Sequence, residues 1–163
     1  MRKFEPGFTL TEMMVIISIV SLMSAIVLIS YFNNQKRMEV SSSTQQLMAD
    51  LRQVQNRALI GKIQSGNVPG GYGVYISTAN QYLVFYNNDA KRQYDAVSSI
   101  VSRTINLSSK VLLNQIGSSI FFTPPKPTTY INGLENSSLV ITISNSLITK
   151  TINIRQFGLM DIQ

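Results

Sequence analysis

Between Met13 and Gln35 the chain carries no charged residue, and Met13 to Ile29 is almost entirely apolar. Coiled as a helix, that apolar run extends about 26 Å, just short of the roughly 30 Å hydrocarbon core of a bilayer. Phe8, Leu10, Tyr31 and Phe32 flank it and supply the missing length and an aromatic edge. A single membrane-spanning helix is therefore expected over residues 8–35. A removable secretory signal fits less well. Such a signal runs from its basic start directly into the apolar region and is cut beyond it at small residues. Here Arg2 and Lys3 end in Pro6-Gly7, Glu12 sits at the mouth of the apolar run, and Tyr31-Phe32-Asn33-Asn34 offers no small-residue cut. A carboxylate at the edge of hydrocarbon is costly, and such residues are functional by default. A plainly structural alternative stays open, because a Glu near a helix N-terminus is also favoured by the dipole.

Gly7, Phe8, Thr9, Leu10 and Glu12, in register with the uncharged run, resemble the N-terminus of type IV pilins and type II secretion pseudopilins. The resemblance covers roughly residues 1–35. It implies a short leader, residues 1–7, removed by a prepilin peptidase between Gly7 and Phe8. It also implies methylation of the new Phe8 amine and retention of the apolar helix in an assembled filament. It implies further that Glu12 lies beside the N-terminal amine of a neighbouring subunit. Pairing with that amine lowers the cost of the carboxylate, and a subunit out of register keeps an unpaired charge. The flanking cations number two on each side, Arg2 and Lys3 before the run and Lys36 and Arg37 after it. Orientation, with a cytoplasmic N-terminus in the inner membrane and the remainder outside, therefore follows from the resemblance rather than from charge.

Within the apolar run Ser18, Ser21 and Ala25 fall on one helix face. A stripe of small residues lets helices approach closely in a membrane or filament core. Equally, each serine can bond back to the carbonyl four residues before it and do nothing else. No proline interrupts the segment, so the kink of many pilins is not expected here. From Lys36 the pattern becomes amphipathic: Val40, Thr44, Leu47, Leu51, Val54 and Ala58 make one apolar stripe on a continuing helix. The stripe is too short and too poorly flanked by charge for a coiled coil, so Val40, Leu47, Leu51 and Val54 are expected to pack under a globular head. The helix, residues 36–65 in its amphipathic part, is expected to run to about Ile63 and to stop at Gly66 and Pro69-Gly70-Gly71.

After Gly71 the period switches to two. Tyr72–Ile76 and Tyr82–Tyr86 read as a hairpin, with Ile100–Leu107, Lys110–Ile116 and Ser119–Thr123 as further strands. Pro124-Pro125-Lys126-Pro127 is a connector that cannot donate to a ladder. Leu139–Ile143 and Ile148–Ile154 flank Ser144-Asn145-Ser146, and Gly158–Ile162 adds a final edge. The fold class is α+β: a long N-terminal helix, then an antiparallel β head over 66–163, pilin-like in order. That order, with Gly70-Gly71-Tyr72-Gly73-Val74 and Phe121-Phe122-Thr123-Pro124, also resembles the H-type minor pseudopilins, the GspH/FimT-like group. Some of that group end in a basic tail linked to DNA uptake. The corresponding segment here, Asn153 to Gly158, holds one arginine, Arg155.

Composition removes most chemistry. There is no cysteine and no histidine, so the commonest zinc and copper ligands and the commonest general base are missing. The acids outside the leader and the span show no catalytic or metal spacing; Asp89 and Asp95 read as solvated loop acids, and no cofactor is expected. Four glycines from Gly66 to Gly73 open strands and lack a following Lys-Ser/Thr, so they do not make a phosphate cradle. Asn106-Leu-Ser and Asn136-Ser-Ser fit a glycosylation pattern. Tyr72, Tyr75, Tyr82 and Tyr86 are expected as core and cross-strand partners rather than base-stacking platforms. The formal charge of +6 suits an anionic surface or nucleic acid, yet the cations are scattered. The expected function is a structural, minor filament subunit and not an enzyme. Its partners are other subunits, the peptidase and an inner-membrane assembly platform. The alternatives are a minor pilin whose head binds DNA or a surface, and a plain single-pass anchored protein.

Overall fold

The computed structural model describes residues 7–64, 66–125, 128–135 and 137–163. Leader residues 1–6, the Lys126-Pro127 half of the connector and Asn136 of the second glycosylation pattern lie outside that range. The chain divides into two compact units, with the boundary between Lys36 and Arg37.

Helix α1 spans Leu10–Leu59, 50 residues. It is shorter at both ends than the sequence suggests. Thr9 caps its start. Its end lies at Leu59 and not Ile63, because Gly61 takes φ 57° and closes the last turn. Lys62 N donates to Arg57 O at 3.0 Å and Gly61 N to Ala58 O at 3.2 Å, the paired bonds of a Schellman cap. In the first unit the helix buries nothing: the apolar positions from Met13 to Ile29 are all substantially exposed.

In the second unit α1 contributes Val40, Thr44, Leu47, Leu51, Val54 and Ala58, each 0–1 % exposed, to a single core. Against them lie two antiparallel sheets. The strands are β1 (Gly71–Thr78), β2 (Gln81–Asn87), β3 (Ile100–Asn106), β4 (Leu112–Leu113), β5 (Ser119–Thr123), β6 (Thr128–Ile131), β7 (Leu134–Glu135), β8 (Leu139–Ser144), β9 (Thr149–Ile154) and β10 (Met160–Ile162). One sheet has six strands in the order β3-β2-β1-β5-β6-β7, the other four in the order β10-β9-β8-β4. Alternation fixes which side chains face the helix. Tyr72, Val74 and Ile76, with Tyr82, Val84 and Tyr86, enter the core from the first sheet, and Ile141, Ile143, Ile152 and Ile154 from the second. Three of the four tyrosines singled out in the sequence are thus core residues; Tyr75 points the other way.

Three strand expectations change. Lys110–Ile116 reduces to the two residues of β4, because Leu107 N and Leu113 N donate instead to Asn80 O and Ala79 O at the β1–β2 turn, at 2.8 and 2.6 Å. The hairpin of β6 and β7 around Asn132-Gly133 is additional. The final edge begins at Met160 rather than Gly158, since a short 3-10 turn, Gln156–Gly158, precedes it.

The outer face of the six-stranded sheet carries a second, aromatic cluster. Phe121, Gly73 and Phe85 stand in one cross-strand row. The two rings stack at 5.9 Å across the glycine. A Cβ on Gly73 would lie 2.5 Å from the Phe85 ring and 2.7 Å from Ile120 O, so only glycine lets the rings close over β1.

Candidate processing and assembly site

The N-terminal site is built by the start of α1. Gly7, Phe8 and Thr9 precede the first helical residue, and Phe8 is 72 % exposed. The Gly7–Phe8 peptide is therefore accessible and outside the helix. Thr9 N and Thr9 Oγ1 both donate to Glu12 Oε2 at 2.9 Å. Glu12 N donates back to Thr9 Oγ1 at 3.2 Å, and Met13 N to Thr9 O at 3.2 Å. This reciprocal pairing is a capping box, which the Thr-x-x-Glu pattern at 9–12 encodes. It joins the two roles weighed for Glu12. The carboxylate serves the helix start through Oε2, while Oε1 accepts no hydrogen bond among the described residues.

Beyond the cap, α1 is the one helix among the described residues long and apolar enough to cross a membrane. Ser18 and Ser21 share a face with Ala25, and their hydroxyls bond back to Met14 O at 2.8 Å and Ile17 O at 2.7 Å. Ser24 does the same to Val20 O at 2.8 Å. These bonds satisfy the hydroxyls inside the helix and leave the stripe smooth.

Val40, Leu47, Leu51 and Val54 sit together on the helix face that meets both sheets. One buried acid, Asp50, interrupts this apolar stripe. Its Oδ2 accepts from the Tyr82 hydroxyl at 2.7 Å, and its Oδ1 pairs with Arg103. Burial, and then the Asp50 hydrogen bond, push the Tyr82 hydroxyl far above the ordinary tyrosine value. Several cations of the head are engaged internally: Arg103 with Asp50, Lys91 with Asp95, Arg155 with Asp161, and Lys150 with the Ser41 hydroxyl. Asp89 and Asp95 do not converge on a shared ligand; Asp95 bonds Lys91 and the Val97 amide, and Asp89 the Lys91 amide. Asn106 Oδ1 accepts from Gln81 Nε2 at 2.7 Å.

Comparison with known protein families gives a match to the prokaryotic N-terminal methylation motif over residues 2–28. No curated protein and no solved structure matches the chain. The matched residues contain the exposed Gly7–Phe8 junction, the Thr9–Glu12 cap and most of the apolar span. The chain thus carries, at its N-terminus, a prokaryotic N-terminal methylation motif, on a helix long and apolar enough to cross a membrane and followed by an antiparallel β head.

Proposed function

We propose that this chain is a structural, minor subunit of a type IV pilus-like or type II secretion filament, of the GspH/FimT-like kind. Prepilin peptidase removes residues 1–7, Phe8 becomes the methylated N-terminus, and residues 8–35 span the inner membrane before entering the filament core. Residues 36–65 then underlie a head, 66–163, on the far side of the membrane from the leader. Glu12 accepts the Phe8 amine of a neighbouring subunit, and Ser18, Ser21 and Ala25 line a close helix contact. Partners are other subunits, the peptidase and an assembly platform.

The observation that carries this reading is the conjunction at one helix start. An accessible Gly7–Phe8 bond, a carboxylate whose Oε1 accepts no hydrogen bond among the described residues and an unburied apolar span of membrane length stand in the register of the methylation motif. A plain anchor has no use for the first two. The DNA-binding alternative needs several cations converging on one groove, whereas Lys91, Arg92, Arg103, Lys150 and Arg155 of the head each have a protein partner.

The test is Glu12→Val in the host. Membrane insertion and cleavage should persist, since the cut lies upstream and the helix becomes more apolar. Incorporation into sheared filaments should fall sharply. Assembly at the wild-type level would refute the pairing.

A further inference from the structure

On the outer face of the six-stranded sheet the row Tyr130, Phe121, Gly73, Phe85 crosses four strands in register. Phe85 and Phe121 are 0 % exposed although they face away from the helix-side core. The segment between β2 and β3, residues 88–99, lies over this row. Tyr94 is its apolar contact: its ring stacks on Tyr75 at 4.2 Å and meets Phe85 edge-on at 5.2 Å. Arg92 lies over the Tyr130 ring at 4.7 Å and donates to its hydroxyl at 2.9 Å.

The segment is otherwise held by polar bonds. Asn87 Nδ2 donates to Lys91 O and Gln93 O, both at 2.9 Å. Tyr94 N donates to Ser119 Oγ at 3.0 Å, and Ser99 N to Asp95 O at 2.9 Å. None of residues 88–99 is buried, and Val97 is 95 % exposed. The closed arrangement also leaves Asn87 Oδ1 and Ser98 Oγ buried without a hydrogen-bond partner. A cover with little apolar burial and stranded polar atoms opens at lower free energy than the sheet beneath it.

We propose that residues 88–99 are a releasable strap, latched by Tyr94, whose opening uncovers the Phe85–Phe121 floor without unfolding either sheet. The strap covers that floor in cis, so the exposure of the two rings is set by the latch. Losing the Tyr75 and Phe85 ring contacts should raise the open population about tenfold.

The strap is tested by native-state hydrogen exchange on the full chain in detergent micelles. The amides of Tyr94 and Ser99 should exchange together, roughly a hundredfold faster than those of Val84 and Ile120. Tyr94→Ala should speed both strap amides about tenfold further and leave the sheet amides unchanged. Trypsin cleavage after Lys91 or Arg92 should accelerate in the same variant by a similar factor. Strap amides as slow as the sheet amides, with the same denaturant dependence, would overturn the proposal. So would a Tyr94→Ala variant that accelerates the strap and the sheet equally.

Discussion

Asp50 gives the sharpest stability prediction, because its two oxygens serve different partners. Asp50→Ala leaves the Tyr82 hydroxyl, in a residue 0 % exposed, with no acceptor. A stranded buried hydroxyl costs about 1–3 kcal/mol. Arg103 adds little, since its side chain is 50 % exposed and is rehydrated when the pair breaks. Tyr82→Phe leaves one Asp50 oxygen short of a donor while Arg103 still neutralises the carboxylate, a loss of about 1–2 kcal/mol. The double variant strands neither group, so its cost should fall short of the sum by about 1–2 kcal/mol. Thermal unfolding of the detergent-solubilised chain, followed by tyrosine near-ultraviolet circular dichroism, should show shifts of roughly 3–5 °C per kcal/mol. Additivity within about 0.3 kcal/mol would refute the reasoning, because it would mean that the two groups do not exchange a hydrogen bond in solution. The same pair sets an alkaline limit. With its value raised by burial and Asp50, Tyr82 keeps its proton more tightly folded than unfolded. Its contribution is complete below the ordinary tyrosine value of about 10 and is lost as pH rises beyond it. Tyr82→Phe should flatten the alkaline limb of stability; an unchanged limb would show that other groups govern it.

Three further outcomes are expected. Leu47→Asp places a charge at a position 0 % exposed with no cation assigned to it, and should cost several kcal/mol and abolish the cooperative near-ultraviolet transition; a retained transition would mean that the stripe faces solvent. Gly73→Ala forces a methyl into the Phe85 ring and Ile120 O, and should destabilise the head by about 1–3 kcal/mol in the same melt, whereas Gly117→Ala, with open space but φ 86°, should show only backbone strain. Acidification below the ordinary carboxylate range should free residues 88–99 first. Lys91 holds Asp95 below that range, so the pair's contribution is present above it and is lost as pH falls through the folded value; amide exchange at Val97 and Ser99 would report the loss.

Much of the architecture was legible because it is periodic. The uncharged run, the stripe from Val40 to Ala58 and the alternating segments at Tyr72–Ile76, Tyr82–Tyr86 and Leu139–Ile143 each state which face is buried. What escaped depends on geometry that local pattern does not carry. The sequence points to Gly66 and Pro69-Gly70-Gly71 as the helix stop, whereas the paired cap bonds at Gly61 end it earlier. The β6–β7 hairpin was readable from Asn132-Gly133 and was masked by the prolines before it. The Thr9–Glu12 cap is written in the sequence as Thr-x-x-Glu, although the same carboxylate at the membrane edge also suits an intermolecular amine. Asp50 was not readable at all: its partners, Tyr82 and Arg103, lie on β2 and β3, and only the docking of the helix brings them together. The row across Gly73 likewise needs the β1–β5 pairing, which joins strands far apart in the chain.

The central claim is that the N-terminus is cut and modified while the span stays attached. The mass of the chain recovered from host membranes, with the spectrum of its N-terminal peptide, tests that claim directly. The account predicts a mature chain beginning at N-methylated Phe8, with residues 1–7 gone and Glu12 intact. A retained Met1, or a cut beyond Ser30 that releases the head from its apolar helix, would contradict it.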